Sequence, residues 1–110
     1  MKTLTVKRHE WLRGQDGNSS ELLDENGCSD IIGHCMRRIN NVTQDRLRGE
    51  LFPDAVFNGP SLFTDNKGVH NSFAMQCMHF NDSSALSDPV RERRLTQLFE
   101  EENIRLTFVD

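Results

Sequence analysis

No apolar run in this 110-residue sequence approaches the roughly 18 consecutive residues needed to cross a bilayer, so a membrane-spanning protein is not expected. The opening "MKTLTVKRHEW" alternates where a signal peptide would carry an unbroken apolar core, so a soluble, cytoplasmic chain with no membrane partner is expected. Cysteine is scarce and odd in number, three in all, which fits free thiols in a reducing compartment better than a disulfide framework. Net positive charge is missing too: the formal charge is -4 and the pI about 5.5, so no direct nucleic-acid partner is expected. CxxC and HExxH spacings, a glycine-rich phosphate cradle and a nucleophile motif are all absent. Catalysis, cofactors and a metal are therefore not expected, in keeping with a chain too short to enclose many large pockets. No internal repeat or low-complexity tract is evident.

What is present suits a folded domain. The hydrophobic fraction of 35%, with seven Phe and one Trp, exceeds what a disordered chain would carry, and the length fits one domain over residues 1–110. "KTLTVK" alternates strictly and predicts a strand over Lys2–Lys7, and "IRLTFVD" predicts another at the C-terminal end, with Ile104, Leu106 and Phe108 on one face. Residues 13–20, "RGQDGNSS", read as a loop.

From Cys28 the apolar positions Cys28, Ile31, Ile32, Cys35 and Ile39 follow helical spacing and predict an amphipathic helix ending at Asn40-Asn41. A shorter helix capped by Thr43 carries Leu47 and Leu51 and stops before Pro53. Residues 53–70 read as a long irregular connection. "NSFAMQCMHF" is open to strand or helix, with helix preferred for its Ala and Met and for a cap at Asn71 or Ser72. "DPVRERRLTQLFEE" predicts a helix over residues 89–102 that buries Leu95, Leu98 and Phe99. The expected fold is α+β: a single small domain whose terminal strands pair as a small antiparallel sheet against three to four helices.

The stretch "GCSDIIGHC" places two cysteines and a histidine within nine residues. On a helix the Cys28 and Cys35 Cα atoms would be about 10 Å apart, too far for a disulfide, and the pair lacks the spacing for joint metal ligation. Both read as packed apolar side chains. A metal set drawn from Cys28, Cys35, Cys77, His34, His70 and His79 has no supporting spacing.

"WLRG" at residues 11–14, Leu22-Leu23, Gly27-Cys28, Asn81-Asp82 and the ending "SDPVRERRLTQLFEEENIRLTFVD" resemble a loose group of small proteins of uncharacterised activity from bacteriophages and bacterial genomes. The resemblance leaves out residues 42–70. Where the group has paired cysteines followed by Leu-Gly, this chain has Cys28 followed by Ser29. The resemblance implies a phage context and, by analogy, an accessory protein that binds and inhibits a host protein, including an antiviral defence protein, in the host cytoplasm. The expected partner surface is Phe57, Leu62 and Phe63 in the 53–70 connection, with homodimerisation as an accompaniment. The alternative is a small-ligand or nucleotide-sequestering protein using Arg37, Arg38, Arg46, Arg91 and Arg94 against phosphate.

Overall fold

A computed structural model describes residues 1–14 and 19–110. Of the loop expected over residues 13–20, residues 15–18 lie outside the described residues. The elements are β1 (Lys2–Lys7), α1 (Ile31–Arg38), α2 (Gln44–Leu47), α3 (Ser72–Asp82), α4 (Asp88–Glu101) and β2 (Ile104–Val109), with single 3-10 turns at Arg8–Glu10 and Pro53–Ala55. This is an α+β fold built on one apolar core, and among the described residues no helix is long and apolar enough to cross a membrane.

Both strands fall where alternation puts them. Leu4 and Val6 of β1 and Ile104 and Leu106 of β2 are buried, while Thr3, Thr5, Arg105 and Thr107 face outward. Their pairing corrects the antiparallel expectation: β1 and β2 run parallel, with Leu4 opposite Leu106 and Val6 opposite Phe108. Alternation sets which side chains face the core but carries no strand direction, and the intervening chain with its four helices supplies the crossover that a parallel pair requires. The strand ends therefore meet on one side, where Arg8 Nη1 donates to Asp110 Oδ1 at 2.7 Å and the same guanidinium pairs with Glu92 of α4.

α1 starts three residues later than its apolar spacing suggests. Asp30 takes the N-cap and its Oδ1 accepts the Gly33 N–H at 2.7 Å, so Cys28 lies ahead of the helix instead of on its stripe. Ile31 through Met36 are all buried. Gly33 is required, because a Cβ there would sit 1.9 Å from the Leu22 carbonyl oxygen. The helix ends near Asn41, whose φ of +56° is the left-handed value that asparagine accepts.

α2 is a single turn that buries Leu47 and leaves Leu51 exposed. α3 is helical, capped by Asn71, whose Oδ1 accepts the Ala74 N–H at 2.9 Å. α4 has Ser87 at the cap position and Pro89 in its first turn, and it buries Leu95, Leu98 and Phe99. Phe73 joins the helices, stacked on Phe63 at 5.6 Å and edge-on to Phe99 at 5.2 Å.

One short loop geometry occurs twice, although the sequence carries no internal repeat. In residues 24–28, Asp24 Oδ1 accepts the N–H groups of Asn26 and Cys28, the Asp24 N–H reaches the Cys28 carbonyl, and Gly27 has φ +83°. In residues 65–69, Asp65 Oδ1 accepts from Lys67 and Val69, the Asp65 N–H reaches the Val69 carbonyl, and Gly68 has φ +80°. Two residues after each loop comes the helix cap, Asp30 for α1 and Asn71 for α3. The two loops share an Asp and, three residues on, a Gly; their other side chains differ.

Candidate partner-binding groove

Trp11, Leu12 and Gly14, Asn81-Asp82 and Arg91 of α4 converge on a buried polar hub. Asn81 Oδ1 accepts the Trp11 indole N–H at 2.7 Å and the Ile31 N–H at 3.0 Å, while its Nδ2 donates to the Leu12 carbonyl at 3.0 Å and to Asp82 Oδ1 at 2.7 Å. Asp82 also accepts from the Ser20 hydroxyl at 2.7 Å. Arg91, 4% exposed, donates to the carbonyl oxygens of Gly14, Asn81, Ser83 and Leu86. Buried polar atoms must be paired, and here "WLRG", "ND" and the first turns of α4 satisfy one another. The motif clamps the chain together and leaves Arg91 with no free face for a phosphate.

The other expected ligand arginines lie apart. Arg37 donates to Ser29 Oγ and, with Arg38, lines an open hollow of about 470 Å³ closed by Asn41, Val42, Thr43 and Gln44. Arg46 donates to the Val56 carbonyl, and Arg94 borders a smaller hollow with Phe80 and Glu101. The hollow of Arg37 and Arg38 takes in none of Arg46, Arg91 and Arg94.

Of the expected partner surface, Phe63 is fully buried in the core, and Phe57 and Leu62 are half-buried against it. A ring with no accessible surface offers nothing to a partner, so Phe63 is a packing residue. The thiols are spread as well. Cys35 is buried and its thiol is pushed up to about 12 by desolvation; Cys77 is buried and raised well above the ordinary thiol value, again chiefly by desolvation. Cys28 is half-buried, with a smaller rise from burial and from nearby Asp24 and Glu10. His34 is buried, with Nε2 on the Glu10 carbonyl at 3.0 Å and Nδ1 unpartnered. Among the described residues no three His, Cys, Asp or Glu side chains are placed to hold a metal ion together.

The feature with the shape of a site lies on the outward face of α3. Met75, Met78, His79 and Asp82 recur at i, i+3, i+4 and i+7 and form the floor of an open groove of about 510 Å³. Phe52 and His70 line it as well, and Ser19, Ser83 and Ser84 complete the lining. The opposite face of α3, with Phe73, Ala74, Cys77 and Asn81, is buried, so this helix carries apolar residues on two sides. Phe52 stacks on the His70 ring at 6.1 Å, and Asp54 fixes that ring through Nδ1 at 2.9 Å.

Exposed large apolar side chains contribute to this groove. Met75 is 57% exposed, Val69 46%, Phe52 42% and Leu51 38%. Two of these line the groove and two are chain neighbours of lining residues; the remaining pair, Met1 and Val109, are at or next to the ends of the chain. Reading "NSFAMQCMHF" as a helix does not say which face stays outward, so the groove went unseen in the sequence. The 75, 78, 79, 82 spacing was the available signal. Comparison with family models, with curated proteins and with solved structures returns no match to this chain.

Proposed function

We propose that this protein acts by binding another protein through the α3 groove, as a small phage-type accessory protein that occupies and inhibits a host protein in the bacterial cytoplasm, without a catalytic step. The observation that carries the reading is the exposure of Phe52 and Met75 in one groove, with Met78 beside them, where contiguous apolar surface marks an interaction site. Methionine suits such a surface, since its flexible thioether adapts to a partner's shape. Burying the rest of Phe52 and Met75 would contribute about 1–2 kcal/mol each, enough for two anchors to dominate a small interface. The partner surface thus keeps to the borders of the 53–70 connection, at Phe52 and His70, and leaves its buried Phe63 aside.

The nucleotide-sequestering alternative has less support, because Arg91 spends its donors on four carbonyls. Affinity capture from bacterial lysate with the wild type and with Met75→Asp tests the proposal, with nucleotide extraction from the purified protein in parallel. The expected result is a discrete protein held by the wild type and lost by the variant. Capture that ignores Met75→Asp, or a nucleotide in place of a protein, would overturn it.

A further inference from the structure

The two copies of the repeated unit differ in what lies across them. In the first, the chain at residues 10–12 runs beside Ser29 as a parallel bridge: the Ser29 N–H donates to the Glu10 carbonyl at 3.0 Å and the Leu12 N–H donates to the Ser29 carbonyl at 2.8 Å. The same strap covers His34, whose Nε2 bonds the Glu10 carbonyl. Counting from Gly27 and Gly68, the counterparts of Ser29 and His34 in the second unit are His70 and Met75. Both line the groove. There the His70 N–H is taken by Asp54 Oδ1 at 3.0 Å, which stands where the Glu10 carbonyl stands in the first unit. The His70 carbonyl, counterpart of the one that accepts Leu12, receives no hydrogen bond among the described residues. Met75 is largely exposed where His34 is covered.

We infer that the groove is the vacant counterpart of the strap site, and that its occupant is an extended segment of a partner protein carrying a large apolar residue flanked by Lys or Arg. The main chain of that segment donates an N–H to the His70 carbonyl, as Leu12 does to Ser29, which is recognition by strand addition. Its apolar side chain covers Met75 and Met78. Charge points to the flanking residues: Asp82 lines the groove, Asp54 holds the lining His70, and among the described residues no Lys or Arg lines it. The chain's own strap has the same character, with Trp11 between Arg8 and Arg13. A helical segment has its main-chain N–H groups already bonded and would leave the His70 carbonyl unpaired, and an acidic one would set like charge against the carboxylates.

The inference rests on the protein-binding reading and names the partner's chemistry. The test is selection of random nonapeptides displayed on phage against the full chain, followed by affinity measurement of the enriched peptide as a synthetic probe. The expected consensus is one aromatic or large aliphatic residue flanked by Lys or Arg. Its binding should weaken at least tenfold with Met75→Asp, and at least tenfold when the main-chain N–H next to the anchor is removed by N-methylation, while Arg105→Gln, on the outer face of β2, leaves it unchanged. Absence of enrichment, an acidic or helix-periodic consensus, or binding indifferent to Met75→Asp or to N-methylation would each overturn the inference. Met75-dependent capture of a lysate protein alongside any of these failures leaves the protein-binding reading standing and removes only this one; loss of that capture removes both.

Discussion

Asp54 holds His70 at two points, its Oδ1 accepting the His70 main-chain N–H at 3.0 Å and facing the ring Nδ1 at 2.9 Å. A carboxylate only accepts, so the neutral ring carries its proton on Nδ1 and leaves Nε2 as an acceptor with no partner among the described residues. The orientation of one groove-lining residue is thus set by another residue of the irregular 53–70 connection.

The tautomer is directly observable. Long-range ¹H–¹⁵N correlation at pH 8 should show His70 protonated on Nδ1, and Asp54→Ala should lose that preference. Because the pair is half-exposed, the variant should lower stability by no more than about 1 kcal/mol in chemical denaturation. A wild-type ring protonated on Nε2 would contradict the arrangement.

Thiol labelling should be ordered. Cys28 reacts with a disulfide reagent in the native protein, slowly for a free thiol because burial and the neighbouring carboxylates disfavour its thiolate. Cys35 and Cys77 should label only as fast as the protein unfolds. Mass spectrometry of a quenched time course reads the order, and early modification of Cys77 would contradict it.

Stability should fall with acid through His34. Burial depresses its folded pKa to about 4 from 6.5, so its contribution is fully present above pH 6.5 and is lost as pH falls toward 4, where the unfolded chain takes up a proton that the folded protein refuses. The full loss is about 3 kcal/mol. Buried Asp30 works in the opposite sense, since its raised pKa means that the folded state gains as that carboxyl protonates. The His34 share is read by comparison: between pH 8 and pH 4 the urea midpoint of the wild type should lose ground relative to that of His34→Gln. An imidazole titration for His34 near its ordinary value would contradict this account even if the variant does not fold.

Arg91→Lys should cost far more than a conservative change on a surface. Lysine's three donors on one nitrogen cannot span the carbonyls of Gly14, Asn81, Ser83 and Leu86, and unpaired buried acceptors cost about 1–3 kcal/mol each. A loss of about 3 kcal/mol or more is expected, against about 0.5 kcal/mol or less for Arg94→Ala on the exposed side of the same helix. Equal, small effects would show that the hub is not a clamp.

How far the sequence could be read depended on the kind of signal. Leu4 and Val6, or Leu95, Leu98 and Phe99, announce strand and helix because burial imposes a period. Strand direction has no period, so β1 and β2 could not be known as parallel. Cys28 continued the helical spacing of α1, yet Asp30 captured the Gly33 N–H and started the helix later. Phe52 and Phe63 stand in similar proline-containing chain, and which of them enters the core depends on Phe73 and Phe99, brought close only by folding. The recurring loop was hidden because it rests on only two shared residues, Asp24 and Gly27 against Asp65 and Gly68, a spacing too short to stand out in a sequence.

The central claim is that α3 offers Met75 and Met78 to a partner, and the four methionines of the chain suffice to test it. Met75 and Met78 line the groove, Met36 is buried in the core, and Met1 is exposed at the first residue. With ¹³C-methyl methionine incorporated and the protein placed in unlabelled bacterial lysate, the Met75 and Met78 signals should shift while Met1 and Met36 keep their positions. Unmoved Met75 and Met78 signals, or changes confined to Met1 and Met36, would contradict a groove that binds another protein.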